Sequence, residues 1–178
     1  MKNLLFVLLL FVSMISFAQE ALIFTEAIEV PGINKDELFI RAREWFNENF
    51  KSSKDVLQIA DKESGELSGK GFMEVGYMFH YLGERKFTTD VNFQTNVWVK
   101  DGKFKYEMSN FDAGGSSSSI DFGLITTSDD TKKTFPGYSA KKMNEMYLSI
   151  KQGAIVKAKL LIEDLKLKMS KKSKSSDW

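Results

Sequence analysis

Residues 66–111 read ELSGKGFMEVGYMFHYLGERKFTTDVNFQTNVWVKDGKFKYEMSNF, and the alternation in this stretch decides the fold. Met73, Val75, Tyr77 and Phe79 fall on one side of a first run. Phe87, Thr89, Val91, Phe93, Thr95, Val97 and Val99 fall on one side of a second, and Phe104, Tyr106 and Met108 on one side of a third. Asp90, Asn92, Gln94 and Asn96 interleave with the second run as a polar row. Period-two alternation repeated three times predicts an antiparallel meander with one dry face and one wet face. Asp101-Gly102 between Lys100 and Lys103 is a hairpin turn. The dry face needs a cover, and the flanking segments must supply it.

Upstream, Leu22 to Val30 reads as a strand ended by Pro31-Gly32, with Leu22, Phe24, Ile28 and Val30 on one face. Asn34 is a natural N-cap, and Glu37 three residues on completes a capping-box pattern. The helix that follows carries Leu38, Phe39, Ala42, Trp45, Phe46 and Phe50 as an apolar stripe, with Arg41, Arg43, Glu44 and Glu48 expected away from it. Trp45, at helical spacing among phenylalanines, belongs to the core. A short strand from Val56 to Asp61 and the turn Lys62-Glu63-Ser64-Gly65 then lead into the meander.

Val30-Pro31-Gly32-Ile33-Asn34-Lys35-Asp36-Glu37-Leu38-Phe39, with Arg41-Ala42 and Trp45-Phe46, and then Ile59-Ala60-Asp61-Lys62-Glu63-Ser64-Gly65 and Gly69-Lys70-Gly71, carry a resemblance. Over about Phe24 to Tyr106 the chain resembles a family of exported bacterial domains of unknown function with a TBP-like fold, found mostly in Bacteroidetes. The resemblance implies a β-α-β-β-β-β-α order, the same order read from the residues, and brings no catalytic residues with it. The resulting expectation is a TBP-like α+β domain, a curved antiparallel sheet with two helices on one face, the C-terminal one long.

That last helix runs from about Ser139 to Met169, with Met143, Met146, Tyr147, Ile150, Ala154, Ala158, Leu161, Ile162 and Leu165 recurring at three and four. Some thirty residues span ~45 Å, more than the ~17–20 Å of an ordinary strand. The helix is therefore expected either to bend near Gly153 or to project past the sheet. Before it lies an irregular stretch, Asp112 to Pro136, in which Ile120 to Thr126 alone reads as a strand. Its Ser, Asp and Thr oxygens lack the acidic spacing of a calcium loop.

Residues 1–18 read as a signal peptide: Lys2, an apolar run from Leu4 to Ile15, and small residues at Ser16 and Ala18 before Gln19. Residues 19–169 are expected to form one domain, and 170–178 a basic, partly disordered tail holding Lys171, Lys172 and Lys174. The chain has no cysteine, yet some 160 residues suffice for a core without disulfides. With 25 basic and 24 acidic residues the net charge is +1, which argues against nucleic acid as a partner.

Catalysis needs convergent groups, and none is legible. His80 is the one histidine and falls on the polar side of its strand; no nucleophile elbow or metal-ligand spacing accompanies it. The glycines of Gly69-Lys70-Gly71 enter a strand rather than a helix, so they suit a bulge or a close backbone crossing better than a phosphate loop. No enzyme activity, cofactor or metal is expected. Two readings remain. In one the wet face is a binding platform, with Phe72, Glu74, Met78, Asn92, Gln94, Asn96 and Trp98 presented to an envelope protein or a glycan. In the other a cavity between the last helix and the dry face carries a small apolar ligand. Membrane contact is expected only through the basic tail, and the location is the periplasm, the cell envelope or the medium. Mass spectrometry of the envelope and secreted fractions should find a mature N-terminus at Gln19; an intact Met1 in membranes would mean anchoring instead.

Overall fold

The computed structural model describes residues 20–50, 57–80, 84–114 and 120–171, with the side chains of 77–80 and 84–87 excepted. The expected signal peptide and the tail beyond Lys171 lie outside the described residues. Within them the elements are β1 (Phe24–Glu29), α1 (Lys35–Asn49), β2 (Leu57–Asp61), β3 (Glu66–His80), β4 (Glu84–Lys100), β5 (Lys103–Asp112) and α2 (Ala140–Ser170). The order is the one expected. The five strands form one antiparallel sheet in the order β1-β5-β4-β3-β2. β1 and β2 are therefore opposite edges, and α1 must carry the chain across one face between them.

That face is the dry one. Val91, Phe93, Thr95, Val97 and Val99 of β4 are buried, as are Met73 and Val75 of β3 and Phe104, Tyr106 and Met108 of β5. The register read from the alternation holds, since a slip of one residue would have turned the whole set to solvent. Leu38, Ala42, Trp45 and Phe46 of α1 pack onto this face, and Phe50 lays its ring over Gly71, where any side chain would collide with it. Gly71 is thus a close crossing, and a bulge also occurs nearby, where the β2–β3 register shifts between Leu57 and Ile59.

Asn34 caps α1, its Oδ1 accepting from the Glu37 N–H at 2.9 Å. The box is not reciprocal: Glu37 instead accepts from Arg41 Nε at 2.8 Å. Arg41 itself corrects the sequence reading, because it is buried rather than turned outward. Its Nη1 donates to the carbonyls of Met169 (2.9 Å) and Lys171 at the end of α2. Carbonyls at a helix C-terminus lack intrahelical donors and carry negative charge, so a guanidinium suits them. Arg41 stands three residues after Leu38 and four before Trp45, which places it on the inner side of the helix.

The length of α2 also has a different answer from either one expected. Its 31 residues span ~46 Å, but β3 and β4 are not ordinary strands: 15 and 17 residues make them ~50–56 Å long. Helix and hairpin are matched in length. The final turns do not project free: Leu165 and Met169 are buried, and the C-terminal half runs antiparallel to α1, with Arg41 beside Met169 and Asn49 beside Asp164. Asn49 Nδ2 donates to Asp164, and Lys168 bridges Glu44 and Glu48. Those two hydrogen bonds raise the Lys168 pKa. Lys166 reaches Glu26 on β1 at 2.8 Å; this contact, with a bond from Tyr106, lowers the Glu26 pKa. At the other end Gly153 lets α2 sit directly on Val75 of β3, where a methyl would overlap Val75 Cγ1.

Gly153→Ala is therefore expected to destabilise by about 1–2 kcal/mol, although helix propensity alone favours Ala by ~1 kcal/mol. Urea denaturation should show this loss, and much less of it in a Val75→Ala background. Arg41→Met should cost about 2–4 kcal/mol and speed amide exchange in the last turn of α2 ahead of its middle.

Candidate functional site

The wet face carries the side chains of alternate residues from β2 to β1 and is covered by no described element. Its centre is an amide network. Ser68 Oγ donates to Asn96 Oδ1 at 2.6 Å, Gln94 Nε2 donates to the same oxygen at 3.2 Å, and Asn110 Nδ2 donates to Gln94 Oε1 at 3.2 Å. Asn110 reaches this face through a bulge: β5 has two residues, Asn110 and Phe111, against Phe93 alone on β4. Asn110 adopts φ 56°, a left-handed conformation that Asn tolerates, and Phe111 turns the other way to stack on Phe93. Only Asn92 of the polar row is exposed; Gln94 and Asn96, expected in solvent, are half-buried because they bond to one another and to their neighbours.

The seven candidate residues do not form one patch. Phe72 stands opposite Asn92 and is 58% exposed, with Glu74 next to it on the same face. Trp98 stands opposite Glu66, six positions along β4, or about 20 Å away at ~3.3 Å per residue. Gln94 and Asn96 lie between them. Trp98 is half-buried, and Lys105 Nζ sits 5.3 Å from its ring centroid, so the protein supplies its own cation to that ring. The side chains of Met78 and His80 lie outside the described residues. What remains as one accessible group is Phe72 with Glu74 and Asn92.

Two clefts lie elsewhere, and no dry-face residue of β3, β4 or β5 lines either. One, of about 620 Å³, opens between the Val30–Asn34 loop, Glu37 and Ser170; the other, of about 270 Å³, between Phe122, Asp130, Lys133 and Tyr147. The described part of the irregular stretch, 112–114 and 120–136, makes specific contacts. Ile120 to Thr126 forms not a strand but two isolated bridges, Leu124 to Asp112 and Thr126 to Ala21. Beyond it, the carbonyls of Thr127 (2.8 Å) and Ser128 (2.9 Å) and Asp129 Oδ1 (2.8 Å) converge on the ammonium of Lys151, which is buried. These oxygens serve a cation of the chain itself. Lys151 carries a charge that hides its place in the sequence, but four residues after Tyr147 and three before Ala154 it falls on the inner stripe. The pKa shifts resolved here also belong to structural contacts: hydrogen bonds from Ser64 and Glu63 lower Asp61, and burial, then Glu26, raises Tyr106.

The segments that carry the family resemblance meet at one end of the sheet. Val30 N–H donates to Gly102 O at 2.8 Å, Gly102 N–H to Ile33 O at 2.9 Å, and Val99 N–H to Gly65 O at 2.9 Å. Lys35 ties the three turns together, its N–H bonding Asp101 Oδ1 (2.7 Å) and its Nζ the Glu63 carbonyl (2.6 Å). This is a joint, and its residues do structural work.

No curated protein matches the chain. Among the solved structures that share its fold are a DUF4468 family protein from Bacteroides ovatus and a TBP-like protein from Parabacteroides distasonis. The first has 16% identity and a TM-score of 0.58, covering 86% of this chain and 89% of its own. The second has 11% identity and a TM-score of 0.59, covering 86% and 96%. The profile described as "Domain of unknown function (DUF4468) with TBP-like fold" matches residues 24–113, just over half of the chain, and the chain belongs to that family.

Proposed function

We propose that the chain is an exported, non-catalytic module that holds a protein partner of the cell envelope against the open face of its sheet. The observation that carries this is Phe72, at 58% the most exposed large apolar side chain on a mostly polar face with no cover among the described residues. An aromatic in such a setting is a natural anchor, with polar neighbours around it to fix orientation. Glu74 and Asn92 are those neighbours. A face spread across five strands suits a macromolecule better than a small molecule, which needs an enclosing site.

The packing of the dry face supports this reading over the carriage of a small apolar ligand. Phe50 on Gly71 and Val75 on Gly153 bring both helices down to van der Waals contact with the strands. A carrier of lipid-sized ligands needs ~300 Å³ or more in that layer.

The test is quantitative affinity capture from the envelope of the native host, followed by native mass spectrometry. Phe72→Ser should lower recovery of a stoichiometric protein partner at least tenfold while the melting curve stays unchanged, and Trp98→Ala should have a smaller effect. A co-purifying lipid-sized mass that survives Phe72→Ser would sink the platform reading in favour of the carrier.

A further inference from the structure

The side of α2 turned away from the sheet carries a second surface. Val156, Leu160 and Leu167 are 56%, 66% and 65% exposed, although most apolar residues of this helix are buried. At 100° per residue the three fall within about 40° of one another, so they make one outward stripe rather than scattered positions. The charges around them are not balanced. The acidic groups of the two helices are engaged internally: Asp36 by Lys62, Glu37 by Arg41, Glu44 and Glu48 by Lys168, Glu145 by Lys142, and Glu163 by Lys166. Asp164 accepts from Asn49. Lys157 and Lys159 are exposed and have no carboxylate within ion-pair distance among the described residues. The sequence adds Lys171, Lys172 and Lys174 at the same end of the helix.

We propose that this outer face of α2 docks on an anionic lipid surface, with the helix lying in the plane of the interface. Val156, Leu160 and Leu167 enter the headgroup–acyl boundary, and Lys157 and Lys159 meet the lipid phosphates on either side of them. Amphipathic helices with cations flanking an apolar stripe bind in this way, the affinity combining buried apolar area with attraction to anionic headgroups. Docking is the relevant mode, since no helix among the described residues is long and apolar enough to cross a membrane. A second copy of the chain fits the surface less well. Three aliphatic side chains fall far short of the roughly 20–30 residues a side in a stable interface, and two such faces would oppose uncompensated cations. The proposal stands independently of the reading of the open face, which lies on the other side of the sheet and would point away from the bilayer.

The chain has no cysteine, so Leu160→Cys can carry a single environment-sensitive dye. With vesicles of phosphatidylcholine and 30% phosphatidylglycerol the dye emission should shift to the blue, and with phosphatidylcholine alone it should not. In vesicle flotation, L160E/L167E and, separately, K157E/K159E should each lower the bound fraction at least fivefold with unchanged circular dichroism. F72S should bind as the parent does. Raising salt from 0.1 to 0.5 M should weaken binding. Absence of binding, equal binding to neutral vesicles, or binding that survives both double variants would overturn the proposal. So would a dimer in light scattering that L160E/L167E converts to a monomer.

Discussion

β3 and β4 present about fifty ångströms of strand with one face apolar, and almost every other feature follows from closing that face against water. A helix of ordinary length covers a fraction of it. The chain uses two, antiparallel to each other, with the longer matched to the hairpin itself. Their approach is limited by side-chain bulk on both layers, and glycine removes that bulk at two points: Gly71 on the strand beneath Phe50, and Gly153 on the helix above Val75. Buried apolar area stabilises by roughly 25 cal/mol per Å², but only where the gap closes to contact, so these two positions govern how much of the face is realised as packing.

Closing the face creates a second problem, which is how to fix the place of a 31-residue helix that lies half in the core. Two buried cations answer it. Arg41 takes the carbonyls of Met169 and Lys171, and Lys151 takes Thr127, Ser128 and Asp129. A buried charge is costly unless its donors are satisfied, and here every partner is an oxygen left over from irregular or terminal backbone, or a carboxylate beside it. Each cation therefore does two things at once, fixing a segment without regular structure and holding α2 at a defined place. Removal of either leaves orphan carbonyls on one element and a loosened partner element.

This accounts for what was legible in the sequence and what was not. Strand alternation is a local signal, repeated over 46 residues, and Val91, Phe93 and Val97 fall where it puts them. Asn34 announces its helix because a cap acts within three residues. Arg41 departs from the expectation because a charge ordinarily marks exposure, although its spacing from Leu38 and Trp45 puts it inside. Its partners lie 128 and 130 residues away, and nothing local encodes them. Gln94 and Asn96 were expected in solvent for the same reason; their burial depends on Ser68 across the strand and on a bulge at Asn110. Strands of 15 and 17 residues are far longer than the average, and alternation alone does not say that α2 has a seat of its own length. Among the candidate residues, alternation gave the correct face for Phe72 and Trp98, but register alone shows how far apart they are.

The extent of the family match divides the two surfaces. Residues 24–113 include the whole sheet, and with it Phe72, Glu74 and Asn92, but they end before α2 begins at Ala140. The joint formed by Val30, Gly65, Lys35 and Gly102 is also inside the match, which fits its role in fixing how the strands and turns meet. Any helix that buries an apolar stripe of the right length will close the dry face, whatever it carries on its outer side. The inner residues of α2 are therefore constrained by packing, while Val156, Leu160, Leu167 and the lysines beside them are free of that constraint. Fold stability gives no reason for three aliphatic side chains to face solvent there, since polar residues at those positions would pack the sheet equally well. A surface that folding does not require, set on the side opposite the open face of the sheet, is where a contact particular to this chain has room to develop without disturbing the site on the other side.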